Sequence, residues 1–234
     1  MKSNQRIASL DAPLILFTAI MIIGASYMAL IYAPTERTMG LIQRIFYFHV
    51  AAAWLSFLAF FIVFVASLLF LLKKSRDWDQ IAVSSAKIGV IFCTLVLITG
   101  PIWAKPIWGI WWTWDARLTS VFVLWLVYIA YLMLRGYIHD PMKRGSLSAI
   151  IGIIGFLDVP FIYISIRWWR TQHPQPVMID GEKSGLAPEM LVALLVSVAA
   201  FTLLYFVMMR YAIRLERVQD DIHHIYQDIQ NRDQ

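Results

Sequence analysis

The chain has a single cysteine in 234 residues, Cys93, and it sits inside an apolar run. That excludes a disulfide framework, a CxxC redox pair and a cysteine-built metal site, and it leaves burial as the expected role of the thiol. Charge is scarce as well: Asp, Glu, Lys and Arg supply 15% of the residues, against 60% hydrophobic ones. A balance of this kind excludes an ordinary soluble domain and indicates a chain embedded in lipid. No internal repeat of solenoid period and no low-complexity tract occurs, which removes the repeat architectures. Walker-type phosphate loops and a serine in a nucleophile elbow are missing too, so nothing points to nucleotide hydrolysis or acyl transfer. The net charge of +5 is spread over the ends of the apolar stretches; it bears on membrane orientation, and no nucleic-acid partner is expected.

What the chain does have is long apolar stretches. Crossing about 30 Å of hydrocarbon takes roughly 20 helical residues, and six stretches qualify, at about 13–32, 46–72, 81–99, 120–134, 147–166 and 187–209. The fourth is short, so it is expected to begin within the residues before it, near Leu118. The fold class is therefore an all-α membrane protein, a six-helix transmembrane bundle over residues 1–209 surrounded by membrane lipid, followed by a tail at 210–234. In that tail Leu215, Val218, Ile222, Ile225 and Ile229 recur at helical steps on a charged background, the pattern of an amphipathic helix. Arg210, Arg214 and Arg217 suit anionic headgroups. With the N-terminus inside, 13 of the 20 Lys and Arg residues fall on the inner side and 7 on the outer, which favours cytoplasmic N- and C-termini. The first stretch has a full span's length and no small-residue cleavage site, so it is read as a helix and not as a signal peptide; the lack of a transit peptide favours a bacterial inner (plasma) membrane.

One stretch on the outer side stands apart, Pro101 to Thr119, PIWAKPIWGIWWTWDARLT. Trp108, Trp111, Trp112 and Trp114 fall within seven residues, where the chain average predicts about 0.3. Scattered tryptophans such as Trp54, Trp78 and Trp125 fit an interfacial belt, but this cluster is followed directly by Asp115 and Arg117, an odd pair for a lipid anchor. If the segment is helical, Trp108, Trp111 and Trp112 stand at i, i+3 and i+4 and make one flat face, with room for close approach at Gly109. Pro101, Pro106, Pro174 and Pro176 would stiffen the loops on this side.

The histidines divide across the membrane. His49, in RIFYFHVAAAW, lies at the outer end of the second span, and His173, in RWWRTQHPQP, lies just beyond the outer end of the fifth. His139, His223 and His224 lie on the inner side. Arg44, Arg117, Arg167 and Arg170 could hold carboxylates by their guanidinium forks, or bind headgroups or stack on indoles. Asp158, with Pro160 beside it, is expected to satisfy local hydrogen bonds within the fifth span, and Lys87 to snorkel towards the inner surface. A haem would use all the outer features together: a flat macrocycle against Trp faces, iron between imidazoles of His49 and His173, propionates at cations. Zinc would need more ligands than this side offers.

WGIWWTWDARLT, from Trp108 to Thr119, resembles the tryptophan-rich WWD signature of haem-handling membrane proteins. With six spans, QRIFYFHV before the signature and RWWRTQH after it, the chain resembles the cytochrome c maturation protein C (CcmC) family over nearly its whole length. The resemblance implies His49 and His173 as axial ligands of the iron. It also implies a site of Trp108, Gly109, Trp111, Trp112, Trp114, Asp115 and Arg117, with Arg44 as a further functional position. It implies transient, noncovalent binding of haem b at the outer, periplasmic face. From there haem would be delivered to the haem chaperone CcmE for c-type cytochrome biogenesis, with CcmA and CcmB, an ABC transporter, and CcmD as partners, and with no catalysis of the protein's own. Two other classes remain open: a b-type cytochrome subunit for electron transfer, which would hold its haem tightly and cycle with quinone, and a permease for haem, which would need a polar path at mid-membrane.

Overall fold

A computed structural model describes residues 2–168 and 186–232. Every regular element among them is helical: α1 (Lys2–Tyr27), α2 (Ile45–Lys73), α3 (Arg76–Trp108), α4 (Ala116–Tyr137), α5 (Pro141–Phe156), α6 (Asp158–Trp168) and α7 (Pro188–Arg232). A π-helical turn, Met28–Tyr32, prolongs α1, and a short 3-10 turn, Leu41–Arg44, leads into α2. Among the described residues six helical stretches are long and apolar enough to cross a membrane, so the fold is an all-α, six-span bundle as the hydropathy predicts. His173, Trp169, Arg170, Pro174 and Pro176 lie outside the described residues.

The bundle is organised around α2. Its inward face carries Ala52, Leu55, Ala59, Val63, Ala66 and Phe70 at three- and four-residue steps, all buried. Lipid is as apolar as these side chains, so association comes from close packing, which small residues permit. Gly89 of α3 illustrates the fit, since a methyl group there would stand 2.6 Å from the Phe60 ring and 3.1 Å from the Ala59 methyl. Polar side chains tie the helices where hydrocarbon would otherwise leave them unpaired. Ser85 of α3 bonds the Ala59 carbonyl and the Tyr205 hydroxyl of α7, each at 2.7 Å. The Tyr128 hydroxyl of α4 donates to the Gly152 carbonyl of α5 at 3.0 Å, while its ring stacks on Phe60 at 3.8 Å. Trp54 donates to Thr202 and Trp125 to Thr94, so these two indoles bind neighbouring helices in addition to any belt role.

Several elements differ from the sequence expectation. The third span, expected to stop at 99, runs on as helix through Pro101 and Pro106 to Trp108, about 50 Å at 1.5 Å per residue. Those prolines are therefore helical and not loop residues. The fifth span is broken: α5 ends at Phe156, and α6 starts afresh at Asp158. Pro160 then lies in the first turn of α6, where a missing N–H costs nothing. Asp158 does not satisfy local hydrogen bonds with both oxygens, because its Oδ2 is buried without a partner among the described residues.

The last helix passes position 209 without a break and continues to Arg232. Its extension is held by ion pairs rather than left to headgroups. Arg210 and Arg214 meet Asp11 of α1, Arg217 meets Asp77 of α3 at 3.2 Å, and Lys87 reaches Glu216. These contacts place both chain ends at one end of the bundle. Arg135 and Asp79 add a bidentate pair there, at 2.6 and 2.7 Å.

Candidate functional site

At the opposite end of the bundle, α2, α3 and α4 line a partly open, mainly apolar cleft. Its shape follows from small residues where large ones would close it. On α3 the lining residues Cys93, Leu97, Gly100, Ala104 and Trp108 recur at helical steps, and α2 adds His49, Ala53, Ser56 and Phe57. From α4 come Arg117, Leu118 and Val121, while Trp103, Trp111 and Trp112 complete the wall. The thiol of Cys93 is buried at the base of this lining. His49 and Arg117 supply the only ionisable nitrogens among these residues.

The tryptophan motif is not a helical face. The residues from Gly109 to Asp115 form a strap between two helix ends. Gly109 terminates α3 in the left-handed conformation, at φ +74°, and its N–H bonds the Lys105 carbonyl at 2.9 Å. Nothing lies within 4 Å of where its Cβ would be, so glycine is required here by the turn and not by a close approach. Lys105 clamps the same corner: its Nζ donates to the Gly109 carbonyl at 2.9 Å and lies 5.9 Å from the centre of the Trp111 ring. At the far end of the strap, Asp115 caps α4. Its Oδ1 accepts from the N–H groups of Arg117 and Leu118 at 2.9 and 3.0 Å, and its Oδ2 accepts from the Thr113 hydroxyl at 2.8 Å. A carboxylate at a helix N-terminus is favoured by unpaired N–H groups and by the helix dipole. Asp115 thus serves the backbone, while Arg117, two residues on and within reach of its charge, lines the cleft.

The indoles divide accordingly. Trp108, Trp111 and Trp112 line the cleft, whereas Trp114 is 74% exposed and meets Trp112 and Phe122 edge-on outside it. Trp103, five residues before the cluster of four, is 4% exposed and stands 5.8 Å from the His49 ring and 6.5 Å from Trp108. Helical spacing with Val96 and Gly100, seven and three residues earlier, was the signal for it, had the helix been continued past Pro101. Arg44 ends the turn before α2 and does not line the cleft.

His49 is less peripheral than its place near a helix end suggests, being only 7% exposed. Its Nδ1 lies 2.8 Å from the Thr99 hydroxyl of α3. Three donors around the cleft, Trp103 Nε1, Trp112 Nε1 and Arg117 Nη1, are buried with no hydrogen-bond partner among the described residues. Asp115 is a nearby counter-charge for Arg117, but Nη1 lacks a hydrogen-bond partner, which an anion in the cleft would supply. The ligand suited to this cleft is flat, apolar on its faces, anionic at an edge and able to accept an imidazole lone pair.

Comparison with known proteins agrees in extent with the motif. The chain is 38% identical to the heme exporter protein C of Bradyrhizobium diazoefficiens, over 79% of this chain and 70% of that protein. It is 30% identical to the heme exporter protein C of Haemophilus influenzae, over 94% and 90% respectively. A mitochondrial protein of Marchantia polymorpha named as cytochrome c biosynthesis ccmC-like is 36% identical, over 76% and 75%. The family model for CcmC, heme exporter protein C, matches residues 2–227, so the chain belongs to the CcmC family.

Proposed function

We propose that this protein binds haem in the cleft beneath the tryptophan strap and hands it to the chaperone CcmE for c-type cytochrome biogenesis. One observation carries the reading: a buried imidazole, four cleft-lining indoles and a guanidinium with one buried, unpartnered nitrogen converge on one apolar cleft. Those residues fit the cargo part by part. Trp103, Trp108, Trp111 and Trp112 supply apolar faces, Arg117 supplies a cation for a propionate, and His49 supplies an axial nitrogen for noncovalently held haem b. His173 is proposed as the second axial ligand, since it follows Trp168, the last residue of α6, by five positions in the sequence. The cleft then faces the periplasmic side of a bacterial inner membrane, with both termini cytoplasmic, as the 13 to 7 distribution of Lys and Arg favours. CcmA, CcmB and CcmD are the proposed partners in releasing the loaded chaperone, and the chain itself transfers haem without a catalytic group. Membership of the heme exporter C family supports haem as the cargo.

The test is transfer. Haem-loaded protein in lipid nanodiscs, mixed with the soluble domain of the chaperone, is expected to lose its haem spectrum as covalent haem appears on the chaperone. Retention of all the haem on this chain would reject delivery. The burial of His49 favours one second reading, a b-type cytochrome subunit, because sheltered haem suits electron transfer. Reversible reduction by a quinol with no loss of haem to the chaperone would establish that alternative.

A further inference from the structure

We propose that Thr99 is a positioning residue that fixes the tautomer of His49, leaving Nε2 as the lone-pair nitrogen available to a ligand in the cleft. The inference rests on the reading of the cleft as a haem site, but its first premise is hydrogen-bond bookkeeping within the chain. A threonine hydroxyl has one proton to give. The Thr99 hydroxyl donates to the Leu95 carbonyl one turn earlier, at 2.7 Å. A carbonyl cannot donate, so that contact consumes the proton, and the 2.8 Å contact with His49 Nδ1 must run the other way, from Nδ1–H to the threonine oxygen.

A neutral imidazole protonated at Nδ1 carries its lone pair on Nε2. The ring lines the cleft, and no partner for Nε2 occurs among the described residues. The contact also settles the ring's attitude, because the Nδ1 edge is held on α3, beside Gly100. Hydrogen bonds of this kind, from the other ring nitrogen of a ligating histidine, commonly govern both tautomer and affinity.

The experiment uses the full chain in nanodiscs without haem, labelled with ¹⁵N-histidine, with the His49 signals identified by their loss in His49→Asn. The wild type is expected to show a protonated Nδ1 and an unprotonated Nε2. Thr99→Val, nearly isosteric but without an acceptor, is expected to lose that preference and to bind added haem about 10- to 100-fold more weakly. Thr99→Ser should restore both, which separates the hydroxyl from the fold. An unprotonated Nδ1 in the wild type, or a tautomer unchanged in Thr99→Val, would overturn the proposal. If the tautomer changes as described while His49→Ala binds haem normally, Thr99 keeps its role towards His49 and the haem reading of that residue falls instead.

Discussion

Replacing Asp115 by alanine separates two roles that the WWD motif leaves merged, contact with the ligand and construction of the strap. Three accepted hydrogen bonds vanish together, two from backbone N–H groups in the first turn of α4 and one from Thr113. Loss of an N-cap costs about 1 kcal/mol, and loss of the half-exposed Thr113 contact about another 1. Because strap residues Trp111 and Trp112 line the cleft, order lost from the strap must be regained on binding. A penalty of about 2 kcal/mol corresponds to roughly a 30-fold rise in Kd, at 1.4 kcal/mol per tenfold. Asparagine keeps the capping oxygen, so Asp115→Asn is expected within about threefold of wild type, because Asn and Asp cap almost equally well. Haem titration of both variants in nanodiscs, followed by absorbance, reads the difference. Wild-type affinity in Asp115→Ala would refute the coupling of cap to strap. Equal and large losses in both variants would mean that the carboxylate touches the ligand.

The two kinds of tryptophan should behave differently: Trp112→Ala is expected to lower haem occupancy, while Trp114→Ala, at a side chain 74% exposed outside the cleft, should leave it near wild type. Trp103→Ala removes a buried indole and is expected to cost about 3–5 kcal/mol of stability, visible as a lowered Tm before any haem is added. Gly109→Ala forces a Cβ into φ +74° and should cost about 1–2 kcal/mol, again by thermal melting. At the turn before α2, the Glu36 carboxylate accepts from the N–H groups of Met39 and Thr38, and these bonds, chiefly that from Met39, hold its pKa below the ordinary 4.5. Its contribution is present above the unfolded pKa and lost as pH falls through the lower folded value. Amide protection of Met39 should therefore weaken only on strong acidification, and should be weak at all pH values in Glu36→Ala, which removes the acceptor.

The bundle was legible because hydrocarbon imposes a length and a composition that few other settings impose, and six stretches met both. The strap was legible in content but not in shape. Reading Trp108, Trp111 and Trp112 as one helical face ignored two local signals: a glycine that can end α3 in the left-handed conformation, and an aspartate followed by a helical run, which is a capping pattern. Proline misled in the opposite direction. Pro101 and Pro106 suggested loops, yet α3 carries both, and Trp103 owes its place against His49 to that continuation. His49 and Thr99 stand 50 residues apart, and no periodicity reports a contact between helices. The ion pairs from Asp11 to Arg210 and Arg214 were hidden for the same reason, so basic residues that suited headgroups proved to be paired with a carboxylate of the chain.

The most direct measurement of haem ligation at this cleft is chemical rescue of His49→Gly. Haem-loaded His49→Gly in nanodiscs should have a Soret spectrum altered from that of wild type, and millimolar imidazole should return it towards the wild-type form by filling the vacated space beside Trp103. A spectrum identical to wild type before imidazole is added would contradict haem binding through His49.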